Sequence, residues 1–231
     1  MKNILARGGI EFLAVFLGIA LSFYVEKWQS DNEQKDLLVK DCENILTDVE
    51  EDILTIKNII DLNNVIFKAC ENIQSRLSLD EVILVDSIIS DLRKLTYPTF
   101  FGITRSYKLS YTTGRLNLYA NEKLVKEISK LYDHFYQRLD INSNIYDQVG
   151  LKFLDEFVDK NIGYAIKGYD YQNEEILDFL TNKLFLNKLI TFTSRVNAYS
   201  NRLKETEEQL NAVKQLLIDY LASQNKSEVL N

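Results

Sequence analysis

The sequence predicts an all-α fold, in which an N-terminal transmembrane helix continues into an elongated antiparallel helical bundle with coiled-coil-like packing. Three observations carry that expectation. The 231 residues hold only 8 Gly and one Pro, where average usage would give roughly 16 and 12. Sandwiches, barrels and propellers need a turn about every ten residues, and turns draw on Gly and Pro for steric reasons. Residues 12–25 form an uncharged apolar run. Beyond it, apolar side chains recur at threes and fours over long stretches, the period of a helix with one buried face.

The apolar run defines the first element. Residues 8–28 read GGIEFLAVFLGIALSFYVEKW, and about 20 residues at 1.5 Å each span the roughly 30 Å of a hydrocarbon core. Tyr24 and Trp28 suit the interface, where amphipathic rings prefer to lie. A cleaved signal peptide is the competing reading, with Lys2 and Arg7 as its basic start, but Glu11 interrupts the apolar region. Lys2 and Arg7 precede the span and a net acidic stretch follows it. The positive-inside rule therefore puts the N-terminus in the cytoplasm and the rest outside. The chain divides into an anchor, residues 1–28, and a helical bundle, residues 29–231.

Within the span, Glu11, Ala14, Gly18 and Ser22 share one helical stripe, and small residues let two helices approach closely. Two readings of Glu11 stand. It hydrogen-bonds across an interface with a second copy or another membrane protein, or it pairs with Arg7 one turn earlier.

A helix can run unbroken from the membrane to about Leu77, with Leu38, Cys42, Ile45, Val49, Ile53, Ile56, Ile60, Ile66, Cys70, Ile73 and Leu77 on one face. Ser78-Leu79-Asp80-Glu81 matches a capping box for a second helix ending near Leu95. Residues 97–102, Tyr-Pro-Thr-Phe-Phe-Gly, form a loop. A helix over residues 105–113 breaks at Gly114, and Asn121 caps a long fourth helix. The face of that helix is Leu124, Ile128, Leu131, Phe135, Leu139, Ile145, Val149, Phe153 and Phe157, with Gly150 as an unexplained kink site. Residues 163–171 make the second loop. In the last helix, Leu189, Val196, Leu203, Leu210 and Leu217 occupy one heptad position and Phe192, Tyr199, Thr206, Val213 and Tyr220 another. Packing against the first and fourth helices of the chain's own bundle explains this register better than a separate dimeric zipper, since those helices need a partner for their own stripes.

The stretch from Gly9 to Trp28 resembles the N-terminal anchor of a family of uncharacterised bacterial single-pass membrane proteins. Glu11, Gly18-Ile19, Ala20-Leu21 and Trp28 fill the family's G-E, G-I, small-residue and Trp places, with Ile10 inserted before Glu11. Residues 107–124, a helix, a Gly break and an Asn-capped helix, are similar to a second block of that family, and Asn197, Tyr199 and Leu203 to a third. The resemblance implies a single-pass anchor in the bacterial cytoplasmic membrane and an extracytoplasmic helical domain. It implies no reaction.

The chemistry-bearing residues are few. No glycine-rich loop follows a strand, which leaves a nucleotide without a backbone cradle, and the one histidine, His134, lies in an amphipathic helix. Triads and zinc sites need more imidazoles or paired thiols; no cofactor, metal or catalytic activity is expected. Cys42 and Cys70, about 42 Å apart on one helix, cannot bond to each other. They read as reduced core thiols, with a disulfide between protomers as the alternative. Carboxylate runs such as Glu50-Glu51-Asp52 read as solvated faces. After Trp28, 24 basic and 32 acidic residues leave a net charge of −8, which disfavours nucleic acid as a partner.

Tyr97, Phe101, Arg105, Tyr107, Tyr111 and Arg115 stand out around the only Pro. Either they form a pocket, with rings for contact area and cations for an acidic group, or they belong to an aromatic plug closing the end of the bundle. The expected role is that of a membrane-anchored scaffold, sensor or assembly protein acting through protein contacts. An oligomerising membrane effector, defence or toxin-like, is the alternative.

Overall fold

The computed structural model describes the backbone of residues 2–78 and 84–229 and the side chains of residues 12–78 and 84–224. Every regular element among them is helical: α1 (Lys2–Ser78), α2 (Val85–Leu92), α3 (Arg105–Thr112), α4 (Arg115–Tyr119), α5 (Glu122–Lys130), α6 (Gln137–Gly150), α7 (Lys160–Ile166), α8 (Asn173–Thr181) and α9 (Lys183–Val229). Two π-helical segments, Leu131–Tyr136 and Leu151–Asp159, join α5 to α6 and α6 to α7.

α1 runs for 77 residues without interruption, about 115 Å of helix. Over residues 12–30 every side chain is exposed. That stretch is long and apolar enough to cross a membrane. From Leu38 onward the apolar stripe turns inward, with Leu38, Cys42, Ile45, Val49, Ile56 and Ile73 fully buried. α9 lies antiparallel against it: Lys214 pairs with Glu50 at 2.8 Å, and Gln74 Nε2 donates to Thr193 Oγ1 at 2.7 Å. Both heptad rows of α9 face this seam, all five residues of the first row being fully buried.

The intervening helices depart from the sequence expectation at identifiable places. Ser78 closes α1, its Oγ donating back to the Gln74 carbonyl at 2.7 Å. The rest of the expected capping box lies outside the described residues, and α2 begins at Val85, preceded by Leu84 without a side-chain cap. Gly114 breaks the chain as expected, in the left-handed region at φ 76°, which a side chain would strain. A short helix, α4, unforeseen from the sequence, follows it. Asn121 caps α5, its Oδ1 accepting from the Leu124 N–H at 2.9 Å. The second loop begins at Lys167 instead of Gly163: the chain kinks at Ile162, whose φ of −131° and ψ of 17° are not helical, and α7 then continues to Ile166 with Ala165 buried. α8 also goes beyond the expectation.

The largest correction concerns the buried face between α5 and α7. Phe135, Val149 and Phe157 are only half-buried and Ile145 is exposed, while Tyr132, Tyr136, Tyr146, Gly150 and Val158 point inward. Each π turn closes i→i+5 and so holds one residue more than an α turn. The first moves the inward row on to Tyr136, and the second moves it from Phe157 to Val158. Gly150 is needed for close approach: a Cβ there would fall 2.4 Å from the Tyr97 ring.

Candidate functional site

The aromatic segment lies at the waist of the bundle, against the middle of α1 and α9, and not at an end as the plug reading supposed. Residues 95–104 cross the bundle without regular structure, so their backbone donors need side-chain partners. The Phe100 N–H donates to Tyr199 Oη at 2.8 Å, and the Ile103 N–H donates to both oxygens of Asp52 at 3.0 and 3.2 Å. Tyr136 also donates its hydroxyl to Asp52. With 1% of its surface exposed, Asp52 is no solvated face residue. Burial pushes its carboxyl up to about 6, against the bonds from Tyr136 and Ile103, which lower it, while Asp48 and Glu51 add to the rise.

The six residues singled out around the Pro do not converge. Tyr97 packs over Gly150 and donates to Asp155, which, with burial, raises its hydroxyl to about 12. Tyr107 is buried, stacks on Tyr132 with ring centroids 4.3 Å apart and donates to Asp133 Oδ2 at 2.9 Å. Burial first and Asp133 second push its hydroxyl up to about 12. Tyr111 is exposed beside Tyr107, at 5.6 Å between centroids. Phe101 is 75% exposed.

The two cations are accounted for elsewhere. Arg115 holds Asp41 bidentately, Nε to Oδ2 at 2.7 Å and Nη2 to Oδ1 at 3.1 Å, with side-chain exposures of 14% and 8%. This contact keeps the guanidinium above its usual pKa and fixes the start of α4 to α1. Arg105 is exposed and borders a separate depression with Asp41, Asn44 and Asp48. A cleft of about 380 Å³ does open at the waist, and of the six only Phe101 and Tyr107 line it. Phe100, Tyr132 and Tyr136 complete its aromatic wall, with Lys108, Asp133, Gln137 and Asp140 among its polar lining.

Elsewhere, Asp91, 2% exposed, is held by Arg76 and by Lys94 at 2.7 Å. Burial raises its carboxyl, but the two cations outweigh that and leave it lowered. Asp41, Asp52 and Asp91 were all invisible to a reading by period, since each lies among charged neighbours. Both thiols are free and buried, and burial pushes Cys42 up to about 12 and Cys70 to about 11. His134 is exposed beside Phe135. Among the described residues no three His, Cys, Asp or Glu side chains group as metal ligands would.

In the apolar part of α1, Ala14, Gly18 and Ser22 are exposed along one stripe, and nothing lies within 4 Å of a Cβ built on Gly18. Ser22 Oγ donates to the Gly18 carbonyl at 2.9 Å, which satisfies it within the helix. The side chain of Glu11 lies outside the described residues.

Comparison with protein families matches residues 11–161 to a family of unknown function, DUF6090. That range runs from α1 into α7 and leaves α8 and α9 beyond it. No curated protein and no solved structure matches the chain.

Proposed function

The chain belongs to that family of unknown function, and from its own geometry we propose a single-pass protein of the bacterial cytoplasmic membrane. Its N-terminus is inside, and it holds a helical bundle outside that acts by protein contacts, without catalysis, as scaffold, sensor or assembly factor. One observation carries this reading. Along a single unbroken helix, burial switches from none over residues 12–30 to complete at Leu38. An isolated helix exposing Phe12, Phe16, Leu17 and Leu21 to water is disfavoured by about 25 cal/mol per Å² of apolar surface, and a bilayer removes that cost. Because no Gly or Pro falls between Gly18 and Pro98, tilt of the anchor is transmitted to the bundle core without a hinge.

The chemistry of the bundle supports contact over catalysis. Two sealed thiols and an exposed histidine offer no nucleophile beside a base. A second copy or another membrane helix is the proposed partner of the Ala14, Gly18 and Ser22 stripe, with Glu11 on the same face. The test is fractionation of the full chain carrying a C-terminal alkaline phosphatase, which is active only outside the cytoplasm. Activity in a membrane fraction resistant to carbonate is the expected result. Release by carbonate would overturn the anchor, and an inactive fusion the orientation. The effector alternative draws on the same stripe, and vesicle leakage abolished by Gly18→Leu would favour it.

A further inference from the structure

The waist cleft has the composition of a site for a positively charged organic molecule. Its wall is aromatic: Tyr107 stacked on Tyr132, and Tyr136 edge-on to both Phe100 and Tyr132 at 5.7 and 5.1 Å. Gly102 lets the loop close on that wall, since a Cβ there would fall 2.1 Å from the Tyr136 ring. Two features are unexplained by the fold alone. Phe101 is held at the mouth with 75% of its surface exposed, next to a Phe100 that is buried. Tyr132, 4% exposed, has a hydroxyl with no hydrogen-bond partner among the described residues. That oxygen is itself sealed from solvent, so Tyr132 meets the cleft through its ring.

The charges decide the ligand class. The arginines that would have favoured an anion are not there: Arg115 is committed to Asp41, and Arg105 borders another depression. The charged residues lining the cleft are Asp133, Asp140 and Lys108. Asp133 keeps one oxygen beyond its bond to Tyr107, and Asp140 makes no ion pair among the described residues. Ring faces are electron-rich and attract cations to within about 6 Å of their centroids. We propose that this cleft binds a small organic ammonium ion, its apolar body against the rings of Phe101, Tyr107 and Tyr136 and its charge toward Asp133 and Asp140. At about 380 Å³ the cleft lies at the small end of ligand pockets. The inference stands independently of whether α1 crosses a bilayer.

The test titrates the full chain in zwitterionic nanodiscs by calorimetry with 2-phenylethylammonium, and with 3-phenylpropionate and 2-phenylethanol as anionic and neutral controls. Titrations of empty discs are subtracted. The ammonium ion should bind at least about tenfold more tightly than either control. Asp140→Asn and Phe101→Ala, both at exposed positions, should each weaken it about two- to fivefold with an unchanged melting curve. Lys108→Ala should tighten it by a similar factor. Equal binding of all three probes, no binding of the ammonium ion, or affinities that ignore these substitutions would overturn the proposal.

Discussion

Replacing Asp52 by Asn removes the charge buried at the waist while keeping an acceptor for the Ile103 N–H and the Tyr136 hydroxyl. In the folded chain burial raises this carboxyl from 3.8 to about 6. At 1.36 kcal/mol per pH unit the difference is on the order of 3 kcal/mol. The folded state holds the proton more tightly than the unfolded chain, so through this group acid favours folding. That stabilisation is complete below pH 3.8 and is lost as pH rises through about 6. The Asn variant binds no proton there. The stability of the natural chain relative to Asp52→Asn should therefore rise by up to about 3 kcal/mol between neutral pH and pH 4, or about 6–12 °C in Tm for a domain of this size. Thermal unfolding followed by circular dichroism, in one detergent across that pH range, measures it. The carboxylates common to both proteins titrate in both and cancel. Parallel Tm profiles, or a natural chain that loses ground to the variant on acidification, would refute the assignment of a buried, proton-avid Asp52.

Two further substitutions separate residues that the sequence treats alike. Arg115→Ala strands Asp41 on a nearly buried face and should cost about 2–4 kcal/mol by urea unfolding, whereas Arg105→Ala should stay within about 0.5 kcal/mol. Equal costs would contradict the different surroundings of the two cations. Gly150→Ala drives a methyl group to 2.4 Å from the Tyr97 ring and should cost about 1–3 kcal/mol. Adding Tyr97→Ala should recover part of that loss, and strictly additive costs would show that the ring is not what the methyl meets.

What was legible in the sequence is what depends on solvent or on local spacing. The apolar stretch of α1 is long and apolar enough to cross a membrane, and its residues announce that without reference to any partner. The stripes of α1 and α9 repeat at threes and fours because one straight helix buries one line against another, and Leu38 through Ile73 and Leu189 through Leu217 bear this out. Asn121 and Gly114 were legible for a similar reason: a cap and a left-handed residue act within a few positions of themselves. Arg105 and Arg115 carried no such signal. Ten residues apart and chemically alike, they differ in that Arg115 pairs with Asp41, 74 positions away in the chain, and Arg105 does not.

The π turn after α5 shows why the waist could not be read from spacing. Counting by 3.6 residues puts Phe135 inside, and in apolar terms Phe135 and Tyr136 are near equals. Their difference is a hydroxyl, and its value depends on Asp52, 84 positions earlier. Residues 95–104 leave backbone donors at the waist, Asp52 accepts one of them, and a carboxylate so buried requires further donors. Tyr136 supplies one and Phe135 cannot. The extra residue in the turn weakens helical hydrogen-bond geometry over a few residues, a local cost offset by satisfying a buried charge. The same shift brings Tyr132 under Tyr107 and leaves Phe135 half-buried outside, which opens the aromatic wall of the cleft. Register, buried acid and cleft are thus one solution to a single problem, that of carrying an irregular segment through the middle of a helical bundle.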